Sequence, residues 1–209
     1  MTKRQSKENR KLLDKRLMRE DEDRWLSSRY APVAKRERLV ALYGLNLELA
    51  KVRIVVSEPG LGAIRFQWWR DAIAEIAEQK SPRKHDVVQA VADANLNTRT
   101  CMDLIAGHEV AFDRNDRALE PEALLMRAAA ALLLPTHGWG ENFDGLASAY
   151  AAARRGDSRS VGPIVPKVPT PMRPAISHAV LRFRYAQGKP PGPLRKRVAI
   201  AGAMLSGRA

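Results

Sequence analysis

The stretch from Lys35 to Val55 runs without a proline, and its apolar positions Leu39, Leu42, Tyr43, Leu45, Leu47, Leu49 and Val52 fall on more than one face of a helix. Such a helix is stable only when neighbours cover most of its circumference, which predicts the buried centre of a helical bundle. Ser57-Glu58-Pro59-Gly60 breaks it, and a second strong helix is expected over about 61–79, carrying Ile64, Phe66, Trp68, Trp69, Ile73 and Ile76. Before both, Asp21-Glu22-Asp23 precedes Arg24-Trp25-Leu26 as acids in a first helical turn, where they favour the helix dipole. Helical patterns resume at about 86–94, 99–112, 122–134 and 143–155, the last two separated by a turn-rich piece around His137. Residues 156–174 are rich in Gly, Pro and Ser and read as irregular, followed by two short helices, Pro174–Tyr185 and Leu194–Leu205. Nowhere does a period-two run of β-branched residues persist, so the fold class is all-α.

The length of 209 residues suits one domain of ordinary size. Residues 1–20 read as a polar, basic lead-in, either solvated or a loosely held helix, and residues 21–209 as a single all-α domain. The longest apolar run, Ala128–Leu134, is far short of the roughly 18–20 residues that span a bilayer. A lone cysteine, Cys101, excludes a disulfide framework and a cysteine-based zinc cluster, as befits a reducing compartment. Neither a secretory signal nor a mitochondrial transit peptide is expected, since the N-terminus lacks an apolar core and its basic run is interrupted by acids.

Charge is unevenly placed. The chain carries 36 Lys/Arg against 23 Asp/Glu, a net charge of +13. Residues 1–20 contribute +5 and residues 154–209 contribute +11, leaving a slightly acidic middle. Two basic ends point to an anionic partner: membrane lipid, nucleic acid or a diphosphate. Leu194-Arg195-Lys196-Arg197-Val198 followed by an apolar stretch makes Arg195, Lys196 and Arg197 candidates for membrane contact. The same helix could instead pack its apolar side on the bundle.

No glycine-rich nucleotide loop and no nucleophile elbow is present. His85, His108, His137 and His178 lie in separate segments and read as surface or satisfied core residues, so no metal ligands are assigned. The pairs Asp71/Glu75, Glu109/Asp113 and Asp116/Glu120 have one-turn spacing, which suits a divalent cation and equally a solvated helix face. Of Trp68 and Trp69, about 100° apart on a helix, one is expected in the core and the other at a groove.

Two adjoining helices are more specific. Leu42-Tyr43-Gly44-Leu45-Asn46-Leu47-Glu48-Leu49-Ala50-Lys51-Val52 resembles the entry helix of the squalene/phytoene synthase family, and Gln67-Trp68-Trp69-Arg70-Asp71 resembles the diagnostic part of its next helix. The resemblance implies a helical bundle of the isoprenoid synthase type, shortened in its second half. Members of that family join isoprenoid diphosphates, with magnesium held by two Asp-x-x-x-Asp motifs. This chain departs from them there. The first motif's place reads Ala50-Lys51-Val52-Arg53-Ile54, the second's, at about 146–155, has no carboxylate, and no Asp-x-x-x-Asp occurs anywhere. Asn46-x-Glu48-x-Ala50-x-Val52 followed by Ser57-Glu58-Pro59 is most similar to a divergent subgroup of the family that includes a mitochondrial complex I assembly factor. That likeness implies a non-catalytic accessory protein, cytoplasmic or peripheral on the inner membrane (in the mitochondrial matrix if eukaryotic), with a lipid or isoprenoid ligand, respiratory-complex subunits as partners and no cofactor. If the family-like helices form a site, Glu48, Lys51, Arg53, Gln67, Trp68, Arg70 and Asp71 line it. Two alternatives stay open. An active prenyltransferase would need magnesium on Asp71, Glu75 or Glu48, and a basic nucleic-acid-binding helical protein lacks any recognised motif here.

Overall fold

The computed structural model describes residues 3–136, 138, 141–157, 161–165 and 167–209. His137, considered above, lies outside them. The regular structure of the described residues is helical, with no strand among them. The helices are α1 (Lys3–Glu20), α2 (Glu22–Ser28), α3 (Val33–Val55), α4 (Pro59–Ala77), α5 (Asp86–Asp93), α6 (Thr98–Asp113), α7 (Glu122–Leu133), α8 (Glu141–Arg155), α9 (Arg173–Ile176), α10 (Arg182–Tyr185) and α11 (Pro193–Ser206). The chain divides into two compact units, residues 1–21 with 37–121 and residues 22–36 with 122–209.

Local chemistry sets the boundaries. Pro59 sits in the first turn of α4, where its missing N–H costs nothing. Asn97 caps α6 by accepting from the Thr100 N–H at 3.0 Å, and the His85 ring accepts from the Val87 N–H at the start of α5. Gly207 ends α11 in the left-handed conformation at φ 73°, and Arg173 donates to the freed carbonyls of Met204 and Leu205 at 2.7 and 3.0 Å.

In the first unit α1 packs on α5 and α4 on α6. Its core takes Leu39, Leu42, Tyr43, Leu45 and Leu49 from α3, Phe66, Trp69 and Ile73 from α4, and Leu104 and Ile105 from α6. Gly62 permits the close α4–α6 approach: a Cβ there would stand 2.1 Å from the Phe112 ring. The expected basic lead-in is an 18-residue helix belonging to this unit. Leu13 and Leu17, one turn apart, are enough to bury one side of it.

In the second unit α7 packs against α8 and α9. Leu26, Leu181 and Ile200 form a buried cluster with Trp25, Tyr185 and Met204 against it. The helix expected over Pro174–Tyr185 is broken, with a 3₁₀ segment at Ser177–Leu181 between α9 and α10. The Ser177 hydroxyl donates to the Arg173 carbonyl at 2.7 Å, a back-bond that competes with the helical ladder. The irregular stretch before it is held by Arg182. That side chain is fully buried and donates to the carbonyls of Val161, Ala179, Pro163 and Ala209. Burial lowers its pKa to about 10. No helix among the described residues is long and apolar enough to cross a membrane.

Candidate functional site

Glu48, Lys51, Val52 and Val55 recur on α3 at i, i+3, i+4 and i+7 and so share one face. Arg65, Trp68 and Trp69 do the same on α4. With His85, these two stripes line a concavity of about 370 Å³, the size of a small-molecule site. Its aromatic wall is well defined. Trp68 and Trp69 meet edge to face with centroids 5.1 Å apart, and the His85 ring stands 5.5 Å from Trp68 and 5.1 Å from Trp69. Arg83 stacks over Trp68 at 5.2 Å while its guanidinium grips Glu75 through two 2.8 Å bonds.

The polar end of the concavity is already neutralised. The Lys51 ammonium lies 2.7 Å from Glu20 and 3.2 Å from Glu48, and Arg16 adds a contact to Glu48 at 3.5 Å. Partial burial works against the Lys51 charge, but hydrogen bonds to Glu20 and Glu48 outweigh it and raise the pKa above the usual lysine value. Arg65 is exposed and has no ion pair among the described residues, which leaves it available to an anionic group. The chemistry on offer is an apolar, aromatic trough with one available cation.

The seven residues read from the sequence therefore divide. Glu48, Lys51 and Trp68 line the concavity. Arg53 instead donates to the Ala111 carbonyl at 2.5 Å and faces Glu120 at 3.7 Å. Gln67, Arg70 and Asp71 form a hydrogen-bonded chain along α4, in which Gln67 donates to Asp71 at 2.6 Å and Arg70 bonds both Gln67 and Glu109. Sequence reasoning missed Arg65 and His85. The Arg65–Trp68–Trp69 spacing could have indicated the first; His85 arrives through the loop after α4, which no periodicity reports. Of the remaining candidates, His108 is buried with Nε2 2.9 Å from the Asn46 side chain, and the buried Cys101 thiol is pushed up to about 12 by desolvation.

A second polar cluster lies in the other unit. Asp23, 1% exposed, accepts from the Tyr185 and Tyr150 hydroxyls at 2.7 and 3.0 Å and meets the Lys196 ammonium at 2.8 Å. Glu22 also reaches Lys196, at 3.1 Å. Burial raises the Asp23 pKa, but Arg154, Lys196 and Tyr185 together bring it below the ordinary carboxylate value. Lys196, one of the three residues expected to meet a membrane, is thus turned inward; Arg195 and Arg197 remain exposed. The acidic run at Asp21–Asp23 was the available signal, since residues 158–209 hold no acid to pair with Lys196.

The sequence profile described as squalene/phytoene synthase matches residues 17–126. This chain belongs to the squalene/phytoene synthase family. Among curated proteins, "NADH dehydrogenase (ubiquinone) complex I, assembly factor 6" of Homo sapiens and of Bos taurus are each 31% identical over 111 residues, covering 50% of this chain and 33% of theirs. The Mus musculus protein of the same name is 30% identical over 100 residues. The matched part thus spans about a third of the length of these relatives. No solved structure matches the chain significantly.

Magnesium, which the family's aspartate motifs hold, does not fit the residues present. Lys51 and Arg53 occupy the first motif's stretch, and residues 146–155 of α8 offer no carboxylate. Among the described residues no group of three His, Cys, Asp or Glu side chains converges as a cation would require. One acid of each one-turn pair is engaged elsewhere: Glu75 by Arg83, Glu109 by Arg70, and Asp116 as the acceptor for the Ala118 N–H.

Proposed function

We propose that this chain is a non-catalytic member of the squalene/phytoene synthase family, a membrane-associated accessory protein that acts in respiratory complex I assembly and holds a lipid or isoprenoid chain in the α3–α4 concavity. In this reading Val52, Val55 and Trp68 bed the apolar chain, and Arg65 takes an anionic head. The observation that carries it is Lys51. A lysine stands within the stretch where the family carries its first metal-binding motif, Ala50 and Ile54 take the places of its two aspartates, and the two acids nearest that lysine are spent on neutralising it. Departure of a diphosphate needs cations opposite the leaving phosphates, and this arrangement supplies no magnesium to that place. The likeness to the assembly factors, together with the basic ends, supports the accessory role.

A strain lacking the protein, compared with one complemented by the full chain, tests this directly. Assembled complex I, measured on native gels and as NADH oxidation, is expected to fall in the first and recover in the second. Unchanged complex I in the deletion strain overturns the assembly role.

A further inference from the structure

We propose that the exposed face of α11, with the segment leading into it, is a docking surface for an anionic lipid bilayer. This rests on the membrane-associated reading above and assigns it a place on the molecule. The helix carries three of its large apolar residues outward. Leu194, Val198 and Leu205 are 74%, 65% and 83% exposed, while Ile200 and Ala203 are buried. At about 100° per residue, Leu194, Val198, Ala201 and Leu205 (i, i+4, i+7, i+11) form one stripe, with Lys196, Ile200 and Ala203 on the opposite side. The rotation is locked. Bringing the stripe inward would draw Lys196 away from Asp23 and Glu22 and leave the Asp23 carboxylate buried with its ammonium partner gone.

Charge selects the occupant. Arg195 and Arg197 flank the stripe, and Arg184 and Lys189 precede it; all four are exposed and without an ion pair among the described residues. Residues 182–209 hold seven Lys/Arg and no Asp/Glu. A second copy of the chain docking through the same face would set cations against cations. A polynucleotide would satisfy the cations and leave Leu194, Val198 and Leu205 in water. An anionic bilayer satisfies both, with the leucines and valine at the acyl boundary and the guanidiniums among the headgroups.

Co-sedimentation of the full chain with vesicles of phosphatidylcholine alone, or with about a third phosphatidylserine, tests this. Binding is expected to the anionic vesicles only and to weaken as salt rises. The double variant Arg195→Gln/Arg197→Gln is expected to bind roughly 25-fold more weakly, at about fivefold per basic residue. A triple variant, Leu194→Ser/Val198→Ser/Leu205→Ser, should lose binding at low salt too. A control with the same charge change elsewhere, Arg99→Gln/Arg117→Gln, should bind as the unaltered chain does. All three side-chain sets are exposed, so the thermal midpoint stays within a few degrees and reports folding independently. If the unaltered chain binds and both α11 variants bind equally well, the surface is refuted while membrane association stands. If the unaltered chain ignores both vesicles, surface and association fall together. Salt-sensitive binding to single-stranded RNA without vesicle binding, or a dimer dispersed by the triple variant, also overturns the proposal.

Discussion

Lys51 and Lys196 have the same immediate partners, two carboxylates each, yet they do different work. Lys51 bridges Glu20 and Glu48 at the edge of the concavity, where all three side chains are partly in water. Lys196 closes on Asp23, which lies out of water beneath two tyrosine hydroxyls. An ion pair that water can replace contributes little to folding, whereas a buried carboxylate that loses its cation is costly. The lysine in the first unit therefore shapes a site, and the one in the second unit ties α2 to α11.

The comparison breaks most sharply at Lys196. Lys196→Met strands Asp23 and is expected to lower stability by about 3 kcal/mol or more, read as the midpoint of urea unfolding. A loss no larger than that of an exposed pair would show that the tyrosines alone satisfy Asp23. Gly62→Ala comes next. The added methyl must displace Phe112, for roughly 1–3 kcal/mol, and should shift the α4 wall and so the Trp68 and Trp69 fluorescence.

Acid separates the two lysines further. Because the folded pKa of Asp23 lies below its unfolded value, its contribution is complete above about pH 4 and disappears as pH falls through the folded value. Unfolding free energies measured down that range should decline in the unaltered chain and decline less steeply in Asp23→Asn. Lys51→Met is the mild case, about 1 kcal/mol or less, because its partners return to water. A cost equal to that at Lys196 would erase the distinction. Arg195→Gln has the smallest expected effect on folding, within about 0.5 kcal/mol, while vesicle binding drops.

The elements dictated by local pattern were legible. Leu39 to Val52 with Ser57-Glu58-Pro59 placed α3 and the start of α4 nearly where they stand. α1 was harder because its burial rests on two leucines in a polar stretch, too few for a hydrophobic stripe to stand out. The Pro174–Tyr185 break coincides with a serine back-bond, which composition does not announce. At the site, Glu48, Lys51 and Trp68 could be named because neighbouring helices carried them. Gln67, Arg70 and Asp71 share α4 with Trp68 but turn to one another and to Glu109, a choice made by tertiary partners. Lys196 was read as surface because its partner lies 173 residues earlier in the chain, a separation over which no sequence pattern reports pairing.

The most direct measurement is incubation of the purified chain with labelled farnesyl and geranylgeranyl diphosphates, magnesium and NADPH, beside an active synthase. With Ala50 and Ile54 in the places of the first motif's aspartates, and Lys51 between them neutralised by Glu20 and Glu48, no condensed product should form at any magnesium concentration, while the control turns over. Magnesium-dependent formation of a coupled isoprenoid would contradict the non-catalytic reading and require Glu48, Asp71 or Glu75 to leave its present partner for the metal.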